Sequence, residues 1–310
     1  MNNTVYFPTA DEIKAVKGRG FLLDKTTKRH FNARVLTVNG RVSCEKLDVI
    51  SEAAKLFGSG AVAFTTRLTV EVQGIAFENI EPFEKFLADH GLEVGGTGPR
   101  VRPVVSCKGT TCHFGLIDTY SLSEKIHYEF YKGYHGVTLP HKFKIAVGGC
   151  PNNCVKPDLN DLGVVGQRIP VIDSEKCRGC KLCAMEKACP VGCARLVDGR
   201  IALPAGECNN CGRCESKCPF GVSAEYKSGY KVFIGGRWGK RTAMGRPLSV
   251  IFTSEEEVMR AVESAILLFK DKGEVGERFA DTINRIGFEN AERLIASGEL
   301  LDRKDEILAR

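Results

Sequence analysis

CKGTTC at residues 107–112 and GGCPNNC at residues 148–154 each carry two cysteines, and neither pair completes a metal site alone. Structural zinc sites and iron-sulfur cubes both take four protein ligands, so the two stretches have to be brought together by the fold. Each follows a short run of strand-forming residues, Val101–Ser106 before the first and Phe143–Val147 before the second. Loops that leave strand ends at one edge of a sheet converge there, which is how α/β folds build sites. The pattern therefore predicts that Cys107, Cys112, Cys150 and Cys154 meet at one sheet edge. Spacing alone leaves open whether they would hold a [4Fe-4S] cluster or a zinc ion.

The chain holds 14 cysteines. Disulfides are the weaker account of them, because the densest run spaces its cysteines two residues apart, as metal ligands are spaced. That run reads CRGCKLCAMEKACP and then CNNCGRCESKCP, with Cys177, Cys180, Cys183 and Cys189 in the first part and Cys208, Cys211, Cys214 and Cys218 in the second. Three cysteines two apart wrap a corner of a cubane, and a distant Cys-Pro supplies the remaining ligand, to the other cluster of the pair. The expected sets are thus Cys177, Cys180, Cys183 and Cys218 for one [4Fe-4S] cluster, and Cys208, Cys211, Cys214 and Cys189 for its partner. A pair of zinc knuckles competes, but seldom shows this doubled arrangement with Pro190 and Pro219 behind the last cysteine. The first part has five residues rather than three before its Cys-Pro and carries an additional Cys193. Cys193 and Cys44 are both expected to be small buried apolar residues.

With 310 residues and 43% hydrophobic content, the chain has room for two or three units at roughly 100–200 residues each. No charged leader with a cleavage site and no run of about 18 apolar residues is visible, so the expectation is a cytoplasmic protein without a membrane partner. The net charge of +6 is spread out, with no dense basic stripe and interleaved aromatics. That argues against nucleic acid and stays compatible with a small anionic substrate. Residues 31–38 alternate like a strand, Cys44–Phe57 has helical periodicity ending at Gly58, Ala61–Val72 reads as a second strand, and Pro82–Ala88 as an amphipathic helix stopped by Gly91. A helix is expected from about Ile117 to Tyr131, a strand from Tyr230, and helices near 254–270 and 276–286. The strand at Tyr230 needs a sheet that the small cysteine-rich module cannot supply. The module at about 171–227 is therefore expected to be inserted into a larger domain made of 99–170 and 228–310, after an α+β unit at 1–98.

RPVVSCKGTTC followed by GGCPNNC resembles the signature of the sirohaem-dependent nitrite and sulfite reductase family, and NARVLTVNG, TTRLTVEVQGI, LPHKFKIAVGG and YKVFIGGRWGKR resemble further family segments in family order. Within the family the likeness points to the anaerobic sulfite reductase catalytic subunits, which carry an inserted ferredoxin. The resemblance implies an α+β fold: a nitrite/sulfite reductase ferredoxin-like half-domain and a sirohaem/[4Fe-4S] domain with an inserted bacterial-type ferredoxin domain. It implies that Cys107, Cys112, Cys150 and Cys154 hold a third [4Fe-4S] cluster and that Cys154 also bridges to the sirohaem iron. Arg34, Arg102, Lys142 and Lys144 resemble the substrate-facing cations. Fixed arginine forks and lysines suit a small oxyanion. Arg67 resembles a residue that holds sirohaem carboxylates, with Arg237, Lys240 and Arg241 in the same role, and Asn152 and Asn153 would donate to cluster sulfurs or the tetrapyrrole rim.

The implied activity is six-electron reduction of sulfite to sulfide, with electrons reaching the ferredoxin module from a donor protein or subunit. Reduction of nitrite to ammonia, or a non-catalytic iron-sulfur electron-transfer subunit, are the alternatives. Three departures stand beside the likeness: the first pair is spaced C-x4-C where many relatives have C-x5-C, Glu71 stands where a glutamine is frequent, and the chain has one copy of a unit that many relatives carry in tandem. A second identical chain across a two-fold axis would supply the missing half, so a homodimer or larger assembly is expected.

Overall fold

The structure, a computed structural model, describes residues 6–204 and 206–310. In chain order the elements are α1 (Ala10–Lys17), β1 (Phe21–Leu23), β2 (His30–Val35), α2 (Cys44–Phe57), β3 (Val62–Phe64), β4 (Val70–Ala76), α3 (Ile80–Asp89), β5 (Val105–Ser106), α4 (Thr119–Ile126), β6 (Ile145–Gly148), β7 (Leu162–Val171), α5 (Ala184–Ala188), β8 (Arg195–Val197), β9 (Arg200–Ala202), β10 (Glu225–Ile234), β11 (Arg246–Phe252), α6 (Glu255–Lys272), α7 (Phe279–Ile286), α8 (Phe288–Ser297), α9 (Glu299–Asp302) and α10 (Lys304–Ala309). The chain divides into two units, one built from residues up to 106 with 123–145 and 263–310, the other from 107–122 and 146–262.

In the first unit, β1, β2, β4 and β3 form an antiparallel sheet in that order. The period-two pattern of β2 buries Phe31, Ala33 and Val35 and leaves His30, Asn32 and Arg34 half-exposed. Helix α2 starts where Ser43 caps it, its hydroxyl accepting from the Lys46 N–H at 3.3 Å, and it buries Ile50, Ala53 and Ala54. Helix α3 adds Ile80, Phe83 and Leu87, and the Phe83 ring meets Phe21 and Phe57 edge-on at 6.0 and 6.1 Å.

The single strand expected over 61–72 is two strands. Thr65 breaks it: its N–H bonds the Thr69 carbonyl at 2.9 Å, its hydroxyl accepts from the N–H of Arg67 and Thr69, and Leu68 takes φ 61°. A threonine hydroxyl offers the backbone partners that a strand ladder would otherwise supply. The helix expected at 117–131 runs as α4 and continues to Lys132 in wider π-type turns, burying His127, Phe130 and Tyr131. Farther along the same unit, Phe143 packs against Phe269 and Phe279 at 6.0 and 5.1 Å, fixing the segment that carries Lys142 and Lys144.

In the second unit the sheet runs β11, β10, β7, β6. Strands β7 and β10 pair over ten residues, from Leu162 opposite Ile234 to Val171 opposite Glu225. Residues 172–224 therefore leave the sheet and return to it at neighbouring points. Strand β10 begins five residues before the expected Tyr230, because Glu225–Ser228 pair through their backbone while their side chains stay exposed. The segment between has a small core of its own, Met185, Ala194, Ile201, Cys214 and Val222, and a two-stranded ribbon of β8 and β9. Cys193 is buried as expected, whereas Cys44, the first residue of α2, is exposed.

Candidate functional site

Two loops in the second unit carry the first four cysteines. The Cys107 N–H bonds the Val147 carbonyl at 3.1 Å, which docks the first loop beside the end of β6, and the Leu116 N–H bonds the Gly149 carbonyl at 2.9 Å. Two glycines let the loops touch. A Cβ on Gly149 would stand 2.8 Å from Gly109 Cα and 3.4 Å from Cys107 Sγ, and one on Gly109 would stand 2.6 Å from Thr119 Cγ2. Neither space accepts a side chain. Thr119, fully buried, donates its hydroxyl to the Cys107 carbonyl at 2.8 Å and so holds the loop from beneath.

The result is convergence of the quartet. Burial pushes the Cys150 thiol above its usual range, and the neighbouring Cys107, Cys154 and Cys112 add to the push against a backbone N–H from Asn152. The Gly149 N–H donates to Cys107 Sγ at 3.1 Å. Cys107, Cys112 and Cys150 are half-buried while Cys154 is exposed. Among the described residues no group of three or more His, Cys, Asp or Glu side chains is set to hold a single metal ion. The other three thiols act on Cys150 and an amide is aimed at the Cys107 sulfur, an arrangement compatible with a metal group held by the quartet.

Asn153 acts through its backbone and its own side chain. Its φ of 58° turns the loop, its N–H bonds the Cys150 carbonyl at 3.2 Å, and its amide donates to Asp158 at 2.8 Å. Asparagine tolerates this left-handed conformation. Asn152 reaches Cys150 with its main-chain N–H rather than with its amide.

The doubled cysteine run separates into two groups. Cys177, Cys180, Cys183 and Cys218 line one cavity, and Cys189, Cys193, Cys208, Cys211 and Cys214 line another. Burial pushes the Cys214 thiol up to about 11, with Cys208, Cys211 and Cys189 adding to it. Backbone amides also face these sulfurs: Ile201 N–H lies 3.3 Å from Cys177 Sγ and Asn210 N–H 3.3 Å from Cys208 Sγ. Such bonds favour the thiolate that a cluster needs, and those from Gly179 and Ile201 hold the Cys177 thiol below its usual range. Cys193 lies 3.5 Å from Cys189, sulfur to sulfur, and burial pushes it up to about 12, which suits a packing residue.

In the first unit, Lys142 and Lys144 are half-buried and alternate with the buried Phe143 and Ile145, so both stand on one face. Arg102 is tied beside them by its N–H to the Phe143 carbonyl at 2.8 Å, and its guanidinium donates to the Gly96 carbonyl. His141 senses the group: burial holds its imidazole below the usual range, and Lys142, Arg278, Arg102 and Lys144 push it lower. Arg34 on β2 faces Glu71 on β4 in register, in a 3.4 Å ion pair that offsets its charge. Arg67, the residue whose resemblance implies a hold on sirohaem carboxylates, is engaged with main-chain carbonyls. Its guanidinium clamps the Pro103 carbonyl at 3.2 and 2.7 Å and the Ile145 carbonyl at 3.1 Å, tying the β3–β4 turn to the backbone next to Arg102 and Lys144.

Arg237, Lys240 and Arg241 lie on the loop between β10 and β11, where Arg237 and Ala243 exchange both backbone hydrogen bonds at 2.9 Å. This loop is docked to the stretch after Cys154, since Gly245 N–H bonds the Asp158 carbonyl at 2.7 Å and Lys156 Nζ sits 5.8 Å from the centre of the Trp238 ring. Sequence reasoning missed Lys156, and also Arg168, which lines a cavity with Cys150 and Cys211 and bonds Glu215 at 2.8 Å. Only the end of the apolar run LGVVG pointed to Arg168, as the first charge after it.

Residues 97–303 match the family described as the nitrite and sulphite reductase 4Fe-4S domain, and residues 24–90 match the nitrite/sulfite reductase ferredoxin-like half domain. The coenzyme F420-dependent sulfite reductase of Methanocaldococcus jannaschii is 30% identical over 79% of this chain, which spans 38% of that protein's length. A subunit of the anaerobic sulfite reductase of Salmonella typhimurium is 27% identical over 72% of this chain and 69% of its own length. The crystal structure of dissimilatory sulfite reductase I superposes with a TM-score of 0.68 at 20% identity, covering 87% of this chain and 69% of that one, a likeness of fold.

Proposed function

The chain belongs to the nitrite and sulphite reductase family, and on that footing we propose that it reduces sulfite to sulfide with sirohaem and three [4Fe-4S] clusters. One observation carries the reading most: Cys107, Cys112 and Cys154 each act on the Cys150 thiol, on loops that only glycine at 109 and 149 allows to touch. Two of the relatives are named as sulfite reductases.

The three cysteine sets are the proposed cluster ligands, and exposed Cys154 is the thiolate best placed for a second metal. Arg237, Lys240, Arg241 and Lys156 are proposed to face the sirohaem carboxylates. When bound, these groups supply electrons one at a time and the redox-active iron on which the chemistry occurs. The protein's own part is charge and protons. Arg102, Lys142 and Lys144, with Arg34, neutralise the oxyanion and donate to its oxygens as they leave. His141, whose imidazole burial and its cationic neighbours hold below the usual range, is a ring beside the two lysines that could relay a proton to them. Arg67 positions the basic segment through the Pro103 and Ile145 carbonyls. We expect assembly with an electron-donating partner and with a second copy of this chain.

The test is turnover of anaerobically purified protein with reduced methyl viologen as donor. Sulfite consumption with kcat/KM at least about tenfold above that for nitrite is expected, a difference of roughly 1.4 kcal/mol in transition-state binding. Preference for nitrite, or consumption of neither, would contradict the assignment.

A further inference from the structure

We propose that the surface around Leu182 and Phe220 is the docking site of an acidic electron-donating protein, seated over the outermost of the three cysteine sets. The proposal rests on the cofactor reading above and adds which set faces the donor and what charge the donor carries.

The cavities order the sets. Cys211 shares a cavity with Cys150, so the set containing Cys189, Cys208, Cys211 and Cys214 is next to the quartet of the two strand-end loops. Arg168 lies between them, its N–H bonded to the Asn210 carbonyl at 2.8 Å. The remaining set, Cys177, Cys180, Cys183 and Cys218, lines a separate cavity of about 120 Å³ with Leu182 and Phe220 in its wall. Cys180 is exposed there, whereas Cys214 of the inner set is buried. Electron transfer from another protein needs close approach, and this set offers it.

The surface over it is apolar at the centre and basic around. Leu182, between Lys181 and Cys183, is 91% exposed and Phe220 46% exposed. A leucine so bare holds apolar surface in water, and a partner that covers it gains by removing that surface from solvent. Arg178, Lys181, Arg200 and Lys217 are exposed and form no ion pair with a carboxylate among the described residues. Lys176 is tied to Asp173 at 2.8 Å. Glu175, Glu186 and Asp198 are the exposed opposing charges there, against Arg178, Lys181, Lys187, Arg200 and Lys217, so the rim stays positive. An apolar centre with a charged rim is the anatomy of a transient interface, and the rim charge sets encounter rate and partner choice. A donor with an acidic surface fits, and a basic one is repelled.

The test uses the full chain, anaerobically, with an acidic flavodoxin as probe. Calorimetric binding of the oxidised flavodoxin at low salt is expected, weakening by about tenfold or more in the Arg178→Glu, Lys181→Glu double variant and in the unchanged protein at high salt. Stopped-flow bleaching of the iron-sulfur absorbance by reduced flavodoxin should slow in parallel, while bleaching by reduced methyl viologen stays unchanged. Equal flavodoxin affinity in the double variant would overturn the proposal, as would equal affinity for a basic cytochrome. A change in sedimenting mass between the two proteins would also overturn it, by assigning the face to a second copy of this chain. Failure of the cofactor reading shows separately, as loss of sulfite turnover with flavodoxin binding intact.

Discussion

Replacing Cys150 with serine should abolish sulfite turnover, by a factor on the order of 10³ or more, while the iron-sulfur signals of the other two cysteine sets persist. Cys150 is the half-buried thiol that feels Cys107, Cys112 and Cys154 at once. Its removal takes one of four ligands from a group whose loops have no side-chain volume to collapse into, because Gly109 and Gly149 already touch. A serine hydroxyl holds its proton at neutral pH and is a poor substitute for a thiolate ligand. Iron should fall by about four atoms per chain, one cube's worth, and the sirohaem absorption should be lost or shifted. The Cys214 and Cys177 groups lie on a segment with its own small core and should keep their clusters. Retention of full iron and full turnover would remove the quartet from the account. A circular-dichroism melt separates loss of the cluster from loss of the fold.

Lys144→Met is the second large effect. Methionine keeps the length and apolar stem of lysine and removes the charge and the donors, so the segment anchored by Phe143 against Phe269 and Phe279 should stand. Turnover of sulfite should fall by about 10²–10⁴, the usual contribution of a positioned proton donor. The optical spectrum should not change. Loss in kcat as well as in kcat/KM would place the lysine in the transition state, and a rise in KM alone would make it a binding group. Partial recovery in Lys144→Arg separates charge from proton donation, since arginine stays protonated. Unchanged kcat would take Lys144 out of the chemistry.

Much of the fold could be read from the sequence where local signals and packing agree. Helix α2 falls on the expected Cys44–Phe57, because its Ser43 cap, its apolar stripe and Gly58 all say the same thing. The strand through residue 72 did not survive, since the Thr65 hydroxyl and the Thr69 carbonyl out-compete the ladder. Strand β11 and the helices after residue 287 carry no motif and were not foreseen. The grouping of the doubled cysteine run around two cavities could be read because ligand spacing is a short-range code. The basic residues were legible only through the family likeness, and their contacts were not legible at all. Nothing in TTRLT says that Arg67 will hold two main-chain carbonyls, and the choice is made by where residues 103 and 145 arrive in the folded chain. Cys44 shows the same limit in reverse, for a small apolar residue at a helix start is exposed or buried according to which face the helix presents.

The central claim is that four thiolates from two strand-end loops hold a third cube coupled to a sirohaem. Iron and acid-labile sulfide analysis of the anaerobically purified chain, read with its optical spectrum, tests it most directly. The account predicts about twelve cluster irons per chain, one further iron in an extractable tetrapyrrole, and red and violet absorption above the broad iron-sulfur band. About eight irons with no tetrapyrrole would contradict it.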